Sequence, residues 1–227
     1  MGRESQLYTQ TLSPFIWARL GFWWFSIADS YADFALCAAP ITALLGVLIA
    51  YLTIRVQFKG KSFFEFIALL CFAIPGTVAG VSYVMAFNDA PIYLTGSVVI
   101  IVLSMVTRNM PIGMRSAIAG LAQIDVNLEQ ASQSLKVSSF KTFLFIILPL
   151  LRPALLSALV TSFVRSMTTM SAIIFLVTPN TQVATAYILN RVEDGDYGMA
   201  VAYGATLIVV MMLVILGFNK LIDRKGS

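Results

Sequence analysis

Residues 128–153 read LEQASQSLKVSSFKTFLFIILPLLRP. On either side run long stretches of Val, Ile, Leu, Phe and Met with almost no charge, whereas here Glu129, Lys136, Lys141 and Arg152 arrive among serines and glutamines. Leu128, Ala131 and Leu135 recur at i, i+3 and i+7, the spacing that places side chains on one side of a helix, and Glu129, Gln130, Gln133 and Lys136 take the other sides. The pattern predicts a short polar helix with a narrow apolar ridge. Asp125 or Asn127 can cap its start, Val137, Ser138 and Ser139 break it before Phe140 opens the next helix, and Pro149 and Pro153 mark a bend into the apolar segment that follows. Such a helix could lie on lipid, but three small or medium apolar side chains anchor it weakly there. A groove on another protein suits the ridge better.

Working outward, the chain is 59% hydrophobic and 11% charged, far below the roughly 25% charged residues of soluble domains. Uncharged runs at 34–54, 66–87, 90–107 and 197–219 approach or exceed the ~18–20 apolar residues that cross a bilayer. A fifth, 153–178, is broken only by Arg165. The fold class expected is therefore all-α, a polytopic membrane protein with about five transmembrane helices. Its transmembrane domain occupies 34–219, between an external or interfacial segment at 1–33 and a cytoplasmic tail at 220–227. Basic loops stay in the cytoplasm. Arg55, Lys59 and Lys61 assign the first connection to that side, and Arg108, Arg115, Lys136, Lys141 and Arg152 assign the long third connection, 108–152. The loops around Asp89 and around Glu193, Asp194 and Asp196 go to the other side. Five spans so arranged put the N-terminus outside and the C-terminus inside. Arg3 and Arg19 sit awkwardly on an external segment that carries no recognisable export signal, which predicts a further span encoded upstream.

Several motifs resolve into structural roles. With no histidine in the chain, Ser-His-Asp triads and most zinc sites are excluded, and no metal site or cofactor is assigned. Cys37 and Cys71 fall inside spans, as small packing residues. Gly60, Lys61 and Ser62 end like a phosphate-binding loop, but Arg55 stands where its first Gly belongs; any hydrolysis of ATP must come from a partner. The net charge of +4 lies between spans and not on one patch, so no nucleic acid is expected. Gly76 and Gly80, after Pro75, permit a close helix approach or a kink. Glu193, Asp194 and Asp196 read as a solvated turn with Gly195. Arg165, about twelve residues inside its span, is the exception: a charge at that depth marks either a pathway or a structural partner.

The run EQASQSLKVSSFKTFLFIILP resembles the cytoplasmic EAA motif of inner-membrane permeases of binding-protein-dependent ATP-binding-cassette (ABC) importers. Glu129, Ala131, Leu135, Ile147 and Pro149 match. Gln130 replaces the first Ala, and Lys136 stands where the family has Gly, which argues against a tight turn at positive φ. The resemblance implies a type I ABC-importer permease fold in a bacterial inner membrane. It also implies a coupling helix that docks in a cytoplasmic ATP-binding subunit through Leu128, Glu129, Ala131, Leu135 and Lys136, with Pro149 behind it. The remaining partners would be lipid, a second permease half or subunit, and an external or periplasmic substrate-binding protein, for which the acidic turn is a candidate contact. Residues 166–204 are further similar to ferric-iron permeases, often double-length proteins, of which this chain would be a C-terminal half. Permeases for thiamine, aminoalkylphosphonates, polyamines and oxyanions share the frame. The rival readings are an ATPase-independent transporter or channel, which predicts inverted repeats and intramembrane acids, and a membrane-anchored scaffold.

Overall fold

The computed structural model describes residues 14–226 apart from 57, 179, 180 and 182, with side chains over 33–218 and at 220. The expected segment at 1–33 and the tail at 220–227 thus lie largely outside the described side chains. From Pro14 the backbone of the former is already helical.

The described elements are helical throughout: α1 (Pro14–Arg55), α2 (Lys61–Ala73), α3 (Gly76–Ala86), α4 (Val98–Leu121), α5 (Asn127–Ser134), α6 (Ser139–Leu150), α7 (Arg152–Thr168), a 3-10 turn (Ile173–Phe175), α8 (Ala184–Glu193) and α9 (Tyr197–Gly226). Among the described residues, three stretches are long and apolar enough to cross a membrane alone, Asp33–Arg55, Val98–Leu121 and Tyr197–Phe218. The α2–α3 pair, bent by 103°, and the α6–α7 pair, bent by 73°, bring the spans to five if each pair counts as one.

α1, α4 and α7 pack together as the centre of the bundle. Ala35, Ala38, Ala39, Thr42, Ala43, Gly46, Val47 and Ala50 are buried on one side of α1, a small-residue stripe that lets backbones approach closely. Closest approach is at Gly46, where an added Cβ would lie 2.5 Å from the Gly113 carbonyl carbon. One apolar cluster, with Ile100, Ile101, Met105, Phe163, Met167, Ile173 and Leu176, fills one end of the bundle. A second, with Val47, Met114, Leu121, Ile147 and Leu151, lies toward α5.

Three boundaries differ from the sequence reading. The third span, expected at 90–107, is Val98–Leu121, so the long connection opens only at Ala122 and Arg108 and Arg115 are helix residues. Hydropathy stops at a charge; helical hydrogen bonding does not. Asn109, Gly113, Met114, Ala117 and Leu121 continue the buried face past Arg108, while Arg115 points outward. The second span is broken where Pro75 holds Ile74 in an extended conformation (φ −68°, ψ 128°). Gly76 and Gly80 then pack so tightly that a Cβ would strike Ser171 at the first and the Ala172 carbonyl and Phe175 at the second; kink and close approach occur together. α7 stops at Thr168, short of the 178 expected for the run from 153, because Thr169 turns extended. Its bend falls at Leu151, between Pro149 and Pro153, as those prolines predict. Cys37 and Cys71 are free thiols, and Cys37 lies on the outer surface of the bundle rather than packed inside it.

Candidate functional site

α5 forms where the ridge predicts a helix, and Asp125 receives the Asn127 amide at 2.9 Å just ahead of it. The inward face consists of Glu129, 7% exposed, and Ser132. Leu128, Ala131 and Leu135 face outward; Leu135 is 78% exposed, and Phe140, in the first turn of α6, is 72% exposed.

Glu129 is not a solvated neighbour of the ridge but its anchor. Arg55 Nε, in the last turn of α1, lies 2.9 Å from Glu129 Oε1, an ion pair not aligned as a hydrogen bond. Arg55 Nη2 donates to the carbonyls of Leu121 at 3.2 Å and Ile124 at 2.8 Å. The Tyr51 hydroxyl donates a long 3.4 Å bond to Glu129 Oε2, and the Tyr51 ring lies 4.7 Å from that of Phe143. Ser132 and Thr142 share a buried hydroxyl contact of 2.7 Å that ties α5 to α6. One guanidinium therefore holds the end of α1, the end of α4 and the short helix in a single arrangement. Arg55 was assigned to a basic loop by sequence; only its place one turn after Tyr51, at the end of an apolar run, hints otherwise.

Lys136 reverses the expectation drawn from its side chain. Its φ is 56°, in the left-handed region, its amide donates to the Gln133 carbonyl at 2.8 Å, and the Val137 amide reaches back to Ser132 at 3.2 Å. This is a helix stop of the kind glycine usually supplies. The bonds offset a conformational cost of about 1–2 kcal/mol, and the lysine side chain is exposed. Pro149 is half-buried in α6, close to the bend.

A second polar group occupies the middle of the bundle. The Asn109 amide donates to Ser166 Oγ at 3.0 Å between α4 and α7, and Tyr83 and Thr107 share a 2.6 Å hydroxyl contact. Arg165 lies with its guanidinium 5.3 Å from the centre of the Phe72 ring, and its Nε is buried without a hydrogen-bond partner. Arg108 donates to the Ile74 carbonyl at 3.2 Å. Elsewhere, Gly60 at φ 97° opens α2 as a turn residue. Glu193, Asp194 and Asp196 are exposed around Gly195, with Arg191 3.9 Å from Asp194. Among the described residues no three His, Cys, Asp or Glu side chains are grouped to hold a metal ion.

The chain is 67% identical over 185 residues to the ferric transport system permease protein FbpB of Actinobacillus pleuropneumoniae, a match covering 82% of this chain and 27% of that protein. It is 65% identical over 105 residues to the putative ferric transport system permease-like protein AfuB of Escherichia coli K12, covering 46% of this chain and 88% of AfuB. A probable sulfate transport system permease protein, cysT of Prototheca wickerhamii, is 30% identical over 198 residues, 82% of this chain and 78% of that one. The chain thus spans about a quarter of the length of the FbpB relative. Among solved structures, a bacterial ABC transporter involved in alginate import superposes over 99% of this chain and 97% of its own, with a TM-score of 0.71 at 18% identity. The MetNI methionine ABC transporter follows at 0.69 and 12%, over 91% and 97%. At such identities these two show the fold, that of ABC-importer permeases. The profile of one family extends over residues 15–226, nearly the whole helical bundle with α5 inside it, and the chain belongs to that family, the binding-protein-dependent transport system inner membrane components.

Proposed function

We propose that the chain is the transmembrane subunit of an ATP-driven importer that passes ferric iron from an external binding protein to the cytoplasm, with α5 as the helix that docks in the partner ATPase. The observation that carries the reading is an exposed apolar ridge, Leu128, Ala131 and Leu135 with Phe140 beside it, on a helix fixed to the bundle by a buried ion pair. A helix held in place while its apolar side faces water suits a protein cleft, and the rigid mount suits transmission of force from ATP hydrolysis in the partner. Glu129 acts in this scheme from beneath, by setting the pose of the ridge, while Lys136 ends the helix. Ferric iron is favoured over sulfate by the identities of the relatives, 67% and 65% against 30%.

Replacing the exposed Ala131 with Arg should abolish both copurification of the ATPase and ATP-driven uptake of ferric iron, while the amount of chain inserted in the membrane stays at the wild-type level. Survival of copurification and uptake in Ala131→Arg would remove the docking assignment.

A further inference from the structure

Two arginines gather at the break in the second span. Arg108 lies roughly 15 Å along α4 at 1.5 Å per residue, near the middle of that 24-residue helix. Arg165 precedes Ser166 and Arg108 precedes Asn109, and the Asn109 amide donates to the Ser166 hydroxyl at 3.0 Å, so the two cations flank one polar layer of the α4–α7 contact. Both turn toward the end of α2: Arg108 to the Ile74 carbonyl at 3.2 Å, Arg165 to the face of Phe72 at 5.3 Å.

Charge at this depth is strongly unfavourable unless compensated. The compensation here is partial. A helix C-terminus offers about half a negative charge and a ring face offers a quadrupole. Among the described residues no carboxylate lies within ion-pairing distance of either arginine, and Arg165 Nε has no hydrogen-bond partner. The layer holds two positive charges with donors to spare, at a point where a span is unwound. Planar guanidinium groups match carboxylate and phosphate oxygens and repel a bare trivalent cation.

We infer that this layer binds the cargo through oxyanion groups, so that what crosses it is an anion or a ferric ion enclosed in anionic ligands. This rests on the importer reading and narrows its substrate class. The test uses the full chain purified without its ATPase. Its melting temperature is compared in sodium chloride and, at equal ionic strength, in inorganic phosphate, citrate or ferric citrate. The wild-type chain should melt about 2–4 °C higher with at least one of the three. A rise with phosphate or citrate alone assigns a free oxyanion; a rise only with ferric citrate assigns the iron complex. Arg165→Met and Arg108→Met should lose the rise, and Arg165→Lys should keep part of it. No rise in the wild-type chain, or an equal rise in Arg165→Met, overturns the inference and leaves the arginines as a cap on α2. Failure of the importer reading is read separately, as absence of ATPase copurification with the wild-type chain.

Discussion

At the scale of single residues the decisive group is Arg55. Its side chain and that of Glu129 are only about a tenth exposed, and breaking such a pair by removing one partner costs about 3–5 kcal/mol, because a charge is left buried. Arg55 also satisfies the last carbonyl of α4, at Leu121, and that of Ile124 just beyond it, whereas Glu129 has Arg55 and a long bond from Tyr51. Arg55→Met should therefore lower the melting temperature more than Glu129→Gln. Restoring an apolar partner in Arg55→Met/Glu129→Leu should recover part of the loss without restoring the Leu121 and Ile124 bonds. Equal melting of both single variants with the wild type would show the pair to be idle. The pair was illegible in sequence for a physical reason: periodicity reports which side of a helix is apolar, not which distant charge a polar residue meets. Periodicity therefore places Glu129 only on a polar side of its helix, and charge patterning reads Arg55 only as loop basicity.

At the scale of elements, hydropathy located the spans and misplaced their ends. α4 persists past Arg108 because its buried face persists, and α2 and α3 separate because Pro75 excludes the helical conformation at Ile74. The close crossing of α1 and α4 was equally hidden, since Gly46 and Gly113 lie in different spans and neither belongs to a recognisable motif. A Cβ at Gly46 would press on the backbone of Gly113 and Met114, which cannot rotate away. Gly46→Ala should thus destabilise the chain by about 1–3 kcal/mol, the usual cost of overpacking. Gly204→Ala is the matched control, since its Cβ meets nothing within 4 Å and alanine gains helix propensity. Thermal melting of the two variants checks the crossing, and equal melting would contradict it.

At the scale of the whole molecule, what the sequence conveyed was order: five apolar stretches, one long connection and a ridge inside it. Distance was beyond it, and the structure supplies distance by bringing the end of α1, the end of α4 and α5 to one end of the bundle. α4 runs away from that end toward residue 98, and α7, whose start packs on α4 through the Ser116 bond to the Ala154 carbonyl, also runs away from it toward Thr168. The loop at Asp89 and the turn at Asp194 should accordingly face the opposite side of the membrane from Leu135 and Lys220. The charge distribution says which side is which, because Lys136 and Lys141 follow α5 in sequence, and Lys59 and Lys61 follow Arg55, which pairs with Glu129, and basic connections stay in the cytoplasm. In a chain with Cys37 and Cys71 replaced by Ala, a single cysteine at Asp89 or Asp194 should react with a membrane-impermeant maleimide on intact spheroplasts. One at Leu135 or Lys220 should react only after permeabilisation. Labelling of Leu135→Cys from outside would invert the bundle and, with it, take α5 out of reach of any cytoplasmic ATPase.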